Sequence, residues 1–261
     1  MQVCDCRILE NLRIEKDFFR MTISAPQIAE RSEAGQFLHL RCNDSQRILR
    51  RPFSIHRVIR DRIQILYRVV GSGSLEFSEK KKEETVDVLG PLGTGFKIPE
   101  DIKKIIIIAG GMGVAPLLML ADKIKSIRTI KRQSVTVLIG AKTKEEILCE
   151  KEFQKLGFKV HVATDNGSKG HKGLVTDLLK SLLCTPYSVP CTAVYACGPK
   201  PMLLGTAEIC LSHKVPTQVS MEERMACGIG VCYGCSVSTI DGYKLVCKDG
   251  PVFDAQEIIW D

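Results

Sequence analysis

Four cysteines carry the densest chemistry in the chain. Cys227, Cys232 and Cys235 stand at C-x4-C-x2-C, and Cys247 follows after a further eleven residues. One tight triple of thiolates with a distant fourth is the ligand spacing of a plant-type [2Fe–2S] cluster. Wrapping three thiolates around so small a group needs a sharply turning backbone. Gly228, Gly230 and Gly234 permit it and let peptide N–H groups approach the sulfides. The competing chemistry is structural zinc on four thiolates, but its usual spacing is two C-x2-4-C pairs, which this pattern fits poorly. Ser236–Ile240 and Tyr243–Val246 read as short strands. Asp241-Gly242 between them predicts a type I′ hairpin that returns Cys247 to the side of Cys235.

Three further stretches have the composition of phosphate sites. Gly111-Met-Gly113-Val-Ala-Pro116 follows an apolar run and opens a helical one, the context in which a helix N-terminus receives a phosphate. Pro116 replaces the third glycine of the dinucleotide fingerprint, and in the first helical turn its missing N–H costs nothing. The same two glycines would also serve if they only let a helix pack closely on a strand. Cys197-Gly198-Pro199-Lys-Pro-Met202 is a second Gly/Pro turn at a strand end, where open α/β sheets bind ligands. Two such turns on one sheet point to a nucleotide. Arg51-Pro52-Phe53-Ser54 begins one strand, Tyr67-Arg68 lies in the next, and Gly71-Ser-Gly73-Ser74 opens a helix. An arginine, a hydroxyl and a glycine-rich helix start suit a flavin diphosphate. Taken singly, Arg51 is an ordinary surface arginine and Cys197 an ordinary small residue at a strand end.

The elements that must position these residues fall into three groups. Up to about Leu89, short alternating runs dominate: Val3–Leu9, Phe18–Ser24, Gln36–Arg41, Phe53–Val58, Ile63–Val70 and Val86–Leu89. Gly, Pro, Asn and Asp punctuate them, which predicts an antiparallel barrel with one helix over Ser74–Glu83. Gly90–Gly95 and Pro99 form a breaker-rich linker. The pattern then alternates strand and helix: Lys103–Ala109, Ala115–Lys125, Ser134–Ile139, Lys144–Leu156, Val160–Ala163, Ala193–Cys197 and Met202–Ser212. That order predicts a parallel sheet covered by helices on both faces. Pro216–Met221 reads as the last strand, leading straight into the cysteine loop. The expected division is an antiparallel β-barrel domain over 1–98, an α/β nucleotide-binding domain over 99–215 and a small cluster domain over 216–261.

Bulk properties exclude several classes. At 261 residues, 44% hydrophobic and 26% charged, the chain is expected to bury ordinary cores in two or three domains. Twelve cysteines are too few for a disulfide scaffold of this length, and Met1–Glu10 alternates like a strand rather than reading as a secretory signal. A cytoplasmic protein is the expectation, with thiols reduced or metal-bound. Ile105–Ala121 contains no charge over seventeen residues, but its glycines and Pro116 interrupt it, so a strand, turn and helix start replace a membrane span. Lys80-Lys81-Lys82 sits beside Glu79, Glu83 and Glu84 without interleaved aromatics, a solvated helical face rather than a nucleic-acid patch. The net charge of +7 suits anionic dinucleotides or an acidic partner without choosing between them. Cys4, Cys6, Cys42, Cys149, Cys184, Cys191 and Cys210 read as ordinary small apolar residues.

The motifs R-P-F-S, Y-R-V-V-G-x-G-S, G-P-L-G-x-G-F, G-G-x-G-x-A-P and C-G-P-x-P-M, in that order, resemble the ferredoxin–NADP reductase superfamily of flavoproteins. R-M-A-C-G-I-G-V-C-Y-G-C at Arg224–Cys235 and V-C-K-D-G-P-V-F at Val246–Phe253 narrow the resemblance to electron-transfer subunits of class B dihydroorotate dehydrogenases, essentially end to end. Asp165–Ser168, His171–Gly173 and Val175–Asp177 share it. The resemblance implies FAD at Arg51, Pro52, Phe53, Ser54, Tyr67, Arg68, Val69, Gly73 and Ser74. It places NAD over Gly111, Gly113, Cys197, Gly198, Pro199 and Met202, and the cluster on Cys227, Cys232, Cys235 and Cys247. It further implies an FMN-containing catalytic partner in a 2+2 heterotetramer, with electrons passing from dihydroorotate through FMN, cluster and FAD to NAD+ in pyrimidine biosynthesis. No acid–base residue is then demanded of this chain, although Cys197 is implied near the nicotinamide–flavin contact.

The nearest rival is the related subunit of bifurcating NADH-dependent ferredoxin–NADP reductases, whose first cluster ligand is typically aspartate where this chain has Cys227. A free-standing oxygenase reductase would need a longer ferredoxin domain than the residues after Pro216 supply. A nucleotide sensor with a cluster or zinc in its tail would bind NADH without being reduced by it. Lys142 and Lys144 follow the second sheet strand, where a 2′-phosphate would lie, so NAD over NADP rests on the resemblance.

Overall fold

The structure is a computed structural model describing residues 1–43, 48–184 and 191–260. Strands β1 (Gln2–Glu15), β2 (Phe18–Ser24), β3 (Phe37–Leu40), β4 (Arg51–Ile59), β5 (Arg62–Arg68) and β6 (Thr85–Leu92) close into an antiparallel barrel in the order β1-β2-β5-β4-β3-β6. Alternation explains it. Met21 and Ile23, and Ile63 and Ile65, stand two apart on paired strands and are fully buried inside. Helices α1 (Pro26–Arg31) and α2 (Ser72–Glu79) lie between strands of the barrel. Helix α2 begins and ends earlier than the expected Ser74–Glu83. Lys80 is buried and follows it, and Glu83 at φ 74 cannot continue a helix, so the triple lysine is not a helical face.

The second layer is a seven-stranded sheet. Strands β7 (Lys104–Gly110), β8 (Val135–Ala141), β9 (Lys159–Thr164), β10 (His171–Lys172), β11 (Thr192–Cys197) and β12 (Thr217–Ser220) are parallel. Their spatial order is β10-β9-β8-β7-β11-β12. Successive residues of β7 feed opposite faces: Ile105, Ile107 and Ala109 pack with α3 (Val114–Ser126), while Ile106 and Ile108 pack with α5 (Val175–Leu183) and α6 (Lys200–Ser212). The uncharged run Ile105–Ala121 is therefore strand, turn and helix. Among the described residues no helix is long and apolar enough to cross a membrane.

Three expectations need correction. The helix predicted over Lys144–Leu156 is a short 3-10 turn, Lys144–Glu146, followed by α4 (Glu150–Lys155). Cys149 at φ 60 separates the two, because a left-handed residue breaks the α-helical path. Strand β12 is not the last: β13 (Ser236–Thr239) and β14 (Gly242–Leu245) form the expected hairpin, and β15 (Val252–Asp254) returns to pair antiparallel with β12. The hairpin turn is not type I′, since neither Ile240 nor Asp241 has positive φ. Thr239 pairs with Gly242, so the loop is Ile240-Asp241, one residue earlier than predicted, and Gly242 closes it at φ 100. Of the seven cysteines read as small apolar residues, Cys6, Cys42 and Cys210 are buried, Cys4 and Cys149 half-buried, and Cys184 and Cys191 exposed.

Barrel and sheet meet along α3. Arg57 on β4 grips Asp122 with two bonds, of 2.6 and 2.8 Å. Beside it, buried His56 donates Nδ1–H to the Ala115 carbonyl at 2.8 Å. Burial holds the His56 imidazole down from about 6.5 to about 4, with Arg20 and Arg57 adding to the effect against the Ala115 bond. Because the folded value lies below the unfolded one, the stability tied to His56 is complete above pH 6.5 and drains as pH falls toward 4. The full loss is on the order of 3 kcal/mol. Urea unfolding at pH 7 and pH 5 is expected to show that loss beginning, and His56→Gln is expected to flatten it. An unchanged pH slope in that variant refutes the assignment.

Candidate functional site

A cleft of about 530 Å³ opens where the barrel, the strand ends of the sheet and the cysteine-bearing segment meet. The barrel side presents Arg51, Pro52, Phe53 and Ser54 from β4, Tyr67 and Arg68 from β5, and Gly73 and Ser74 from α2. The sheet side presents Gly113 and Cys197. Ten of the fifteen residues that the resemblance assigns to FAD or NAD thus share one cavity. Val69, Gly111, Gly198, Pro199 and Met202 are not among those lining it.

Local geometry gives the lining residues different work. The Arg51 guanidinium lies over Gly73: a Cβ there would stand 2.8 Å from Arg51 Nε. A cation above a helix start is an arrangement for an anionic group. The Ser74 hydroxyl, by contrast, is committed to the turn, accepting from the Val70 and Gly71 amides at 2.9 and 3.2 Å. Tyr67 is buried, and its hydroxyl donates to Asn11 Oδ1 at 3.0 Å. Burial raises the phenol well above its ordinary value, so it stays neutral. Its ring meets Phe53 edge-on with centroids 5.4 Å apart, which makes Tyr67 a support for the cleft wall.

On the sheet side the two glycine turns pack on each other. A Cβ at Gly110 would stand 2.6 Å from Met202 Sδ and 2.9 Å from Pro199 Cδ, so these two residues hold the turn rather than line the cavity. Gly113 has the same need for closeness, and the packing role left open by the sequence accounts for it. Gly111, at φ 52, faces open space. Cys197 sits half-buried at the cleft, and burial pushes its thiol up to about 12 against the Ser220 hydrogen bond, leaving it neutral.

The third wall leads into the cysteine loop. Cys235 and Cys247 are buried at 2% exposure each, Cys227 is half-buried and Cys232 exposed. The hairpin delivers Cys247 as expected: Val246 N–H donates to the Cys235 carbonyl at 3.0 Å, and Cys247 N–H points at Cys235 Sγ, 3.4 Å away. Gly230 N–H donates to Cys247 Sγ at 3.2 Å and Ile229 N–H to Cys227 Sγ at 3.5 Å. Burial pushes Cys227 up, but the amides of Ile229, Val231 and Cys232 outweigh it and bring the thiol down to about 6. Cys247, pushed up by burial and by Cys235, stands at about 12. Among the described residues no three His, Cys, Asp or Glu side chains are already gathered as ligands of a metal ion. Four thiols from two segments, with peptide N–H groups aimed at sulfur, are nevertheless the donor set of an iron–sulfur cluster, and the residues fit one.

Known proteins resemble the chain throughout. Residues 222–259 match the model for the iron–sulfur cluster binding domain of dihydroorotate dehydrogenase B, and 107–208 match the oxidoreductase NAD-binding domain. The "Dihydroorotate dehydrogenase B (NAD(+)), electron transfer subunit" of Desulforamulus reducens is 36% identical over 100% of this chain and 99% of its own. That of Caldanaerobacter subterraneus subsp. tengcongensis is 40% identical over 97% of each. The chain belongs to the family of dihydroorotate dehydrogenase B electron-transfer subunits. It is an oxidoreductase subunit, and membership implies a catalytic partner. Among solved structures, this chain superposes on a chain from an NADH-dependent reduced ferredoxin–NADP oxidoreductase with TM-score 0.85 and 29% identity, covering 98% of this chain and 90% of that one. A ferredoxin–NADP reductase from Neisseria gonorrhoeae, at TM-score 0.68 and 21% identity over 82% of this chain and 92% of its own, shares the fold.

The cleft also has walls to which the sequence assigned no role. Phe37, Met112, Glu222, Glu223 and Met225 also line it. Met112 and Met225 lie inside motifs already recognised, and their signal was adjacency. Phe37 reads as one more barrel residue until the barrel closes.

Proposed function

We propose that this chain carries electrons from the FMN of a dihydroorotate-oxidising partner through a [2Fe–2S] cluster and FAD to NAD+, in the pyrimidine pathway. Its cofactors are FAD, the cluster and NAD(H). The observation that supports the reading best is the single cleft lined by the barrel's Arg51–Ser54, by the sheet's Gly113 and Cys197, and by the segment that runs directly into the cysteine loop. Bound FAD accepts or gives two electrons as hydride on one side and single electrons on the other, a conversion neither nicotinamide nor cluster performs alone.

The protein's own residues bind and orient. Arg51 and the start of α2 offset the diphosphate charge, Phe53 and Tyr67 wall the flavin, and Gly113 and Cys197 admit the nicotinamide from the sheet side. Cys227, Cys232, Cys235 and Cys247 ligate the cluster. The flavin part spans 1–98, the nucleotide part 99–215 and the cluster part 216–261. The partner is an FMN-containing chain, the assembly is a 2+2 heterotetramer, and the complex is cytoplasmic.

An anaerobic absorption spectrum before and after NADH, with iron and FAD quantified, tests the whole scheme. Two irons and one FAD per chain with both chromophores bleaching are expected. Bound FAD with zinc or no metal would remove the cluster from the mechanism. Dihydroorotate-dependent NAD+ reduction on adding the partner separates this reading from a bifurcating reductase, and a preference for NADPH would overturn the NAD assignment. Cys197→Ala is expected to slow flavin reduction by NADH about tenfold, near 1.4 kcal/mol in barrier, with FAD content unchanged. An unaltered stopped-flow rate would return Cys197 to a packing role.

A further inference from the structure

His39, on β3 of the barrel, is completely buried, and neither ring nitrogen has a hydrogen-bond partner among the described residues. Buried polar groups in native proteins are nearly always paired, so an imidazole with both nitrogens unmatched leaves its N–H without an acceptor, and its other nitrogen without a donor, among the described residues. Its position says which acceptor would serve. The ring fills the space a side chain at residue 228 would need: a Cβ on Gly228 would fall 2.5 Å from His39 Nδ1 and 2.7 Å from Cε1. Gly228, at φ 72, follows Cys227 directly and turns the cysteine loop. His39 is not among the residues lining the flavin cleft, while Phe37, two residues earlier on the strand, is; the Phe37 ring meets the imidazole edge-on at 5.8 Å. Arg50 Nη1 donates to the His39 carbonyl at 3.2 Å, which ties down the backbone that carries the ring.

We infer that His39 is a positioning residue for the iron–sulfur centre, its imidazole N–H donating a hydrogen bond to a sulfur of the cluster. The inference rests on the cluster reading above. A donor aimed at sulfur favours the more negative, reduced cluster and so raises its reduction potential. The barrel would then take part in setting how readily the cluster accepts an electron, through a residue far from the cysteines in sequence.

The test is an anaerobic redox titration of the holo-complex, followed by electron paramagnetic resonance of the reduced cluster. His39→Phe keeps an aromatic ring without the N–H. It is expected to lower the reduced-to-oxidised ratio at a fixed potential about tenfold, or 59 mV for a one-electron couple, with FAD content and flavin midpoint unchanged. His39→Gln, which retains an N–H donor, is expected to recover most of the shift. An unmoved cluster midpoint in His39→Phe overturns the inference. Should that variant fail to load its cluster, the wild-type complex labelled with 15N-histidine decides: pulsed resonance must show a histidine nitrogen coupled to the reduced cluster, and its absence overturns the inference. Loss of the inference alone leaves two irons per wild-type chain, whereas a wild-type chain without iron ends both this inference and the cluster reading.

Discussion

Cys247→Ala will leave the chain its FAD and take away its iron. Cys247 is the one proposed ligand outside the C-x4-C-x2-C triple, brought in by the β13–β14 hairpin and buried at 2% exposure. Its sulfur accepts the Gly230 amide at 3.2 Å, so the alanine variant loses both a ligand and the anchor of the loop's second turn. Loss of a supporting partner typically costs a metal site 10–100-fold in affinity, and loss of a ligand is expected to exceed about a hundredfold. Iron per chain and the resonance of the reduced cluster should fall together. Reduction of the flavin by NADH should persist, because the barrel and sheet walls of the cleft lie on other elements. NAD+ reduction from dihydroorotate, with the partner present, should collapse. Cys210→Ala is the control: Cys210 is equally buried, in α6, and its loss should leave iron untouched. Retention of two irons in Cys247→Ala would remove it from the ligand set.

Gly113→Ala is expected to be the most damaging small substitution in the nucleotide site. Its Cβ would stand 2.0 Å from the Cys197 carbonyl oxygen, 2.3 Å from the Cys197 carbonyl carbon and 2.6 Å from Gly198 N, all of it backbone. Gly113 has φ −58, which any residue adopts, so the obstacle is steric rather than conformational. Relief requires the two turns to separate, prying α3 from the end of β11. A loss of about 3 kcal/mol or more follows, lowering the melting temperature by roughly 6–12 °C in a chain of this size. The Michaelis constant for NADH should rise as the turns part. Gly111→Ala makes the contrast, because φ 52 strains an L-residue but nothing lies within 4 Å, and about 1–2 kcal/mol is expected. Equal melting temperatures for the two variants would show that the turns are not tightly coupled.

The parts of this molecule most legible in its sequence are those fixed by local periodicity or by ligand spacing. Ile63 and Ile65 alternate into the barrel, the apolar run of β7 is buried on both faces, and the cysteine hairpin follows from two short runs around Asp241-Gly242. Helix α5 was also legible and was missed: Val175, Leu178, Leu179, Leu182 and Leu183 repeat at helical spacing, and Asp177 Oδ2 accepts the Leu174 amide at 2.9 Å. Strand β15 was not legible, for three residues after a cis Gly250-Pro251 bond carry no pattern of their own and pair only because β12 offers an edge. Nor was the break at Cys149, whose surroundings read as continuous helix. Of the residues expected at FAD, Ser74 and Tyr67 line the cleft, but the Ser74 hydroxyl serves the turn at Val70 and Gly71 and the Tyr67 hydroxyl serves Asn11. His39 and His56 gave no signal, since a lone histidine in a strand acquires meaning only from what the fold sets against it.

Pairing of β15 with β12 changes what kind of object the cluster-bearing segment is. Residues 222–251 leave the sheet after Ser220 and re-enter it beside the same strand, with Val219 opposite Phe253 and Ser220 opposite Val252. The barrel linker fastens the return, Thr94 N–H donating to the Gly250 carbonyl at 2.6 Å and Lys97 N–H to Gln218 Oε1 at 2.9 Å. An excursion stapled at both ends cannot wander as a bead on a tether would. The spacing between cluster loop and cleft is therefore set by strand register, and a slip of one residue would turn Val219 and Phe253 to the wrong face. Such a distance has discrete settings rather than an elastic range, and only one of them keeps both side chains buried.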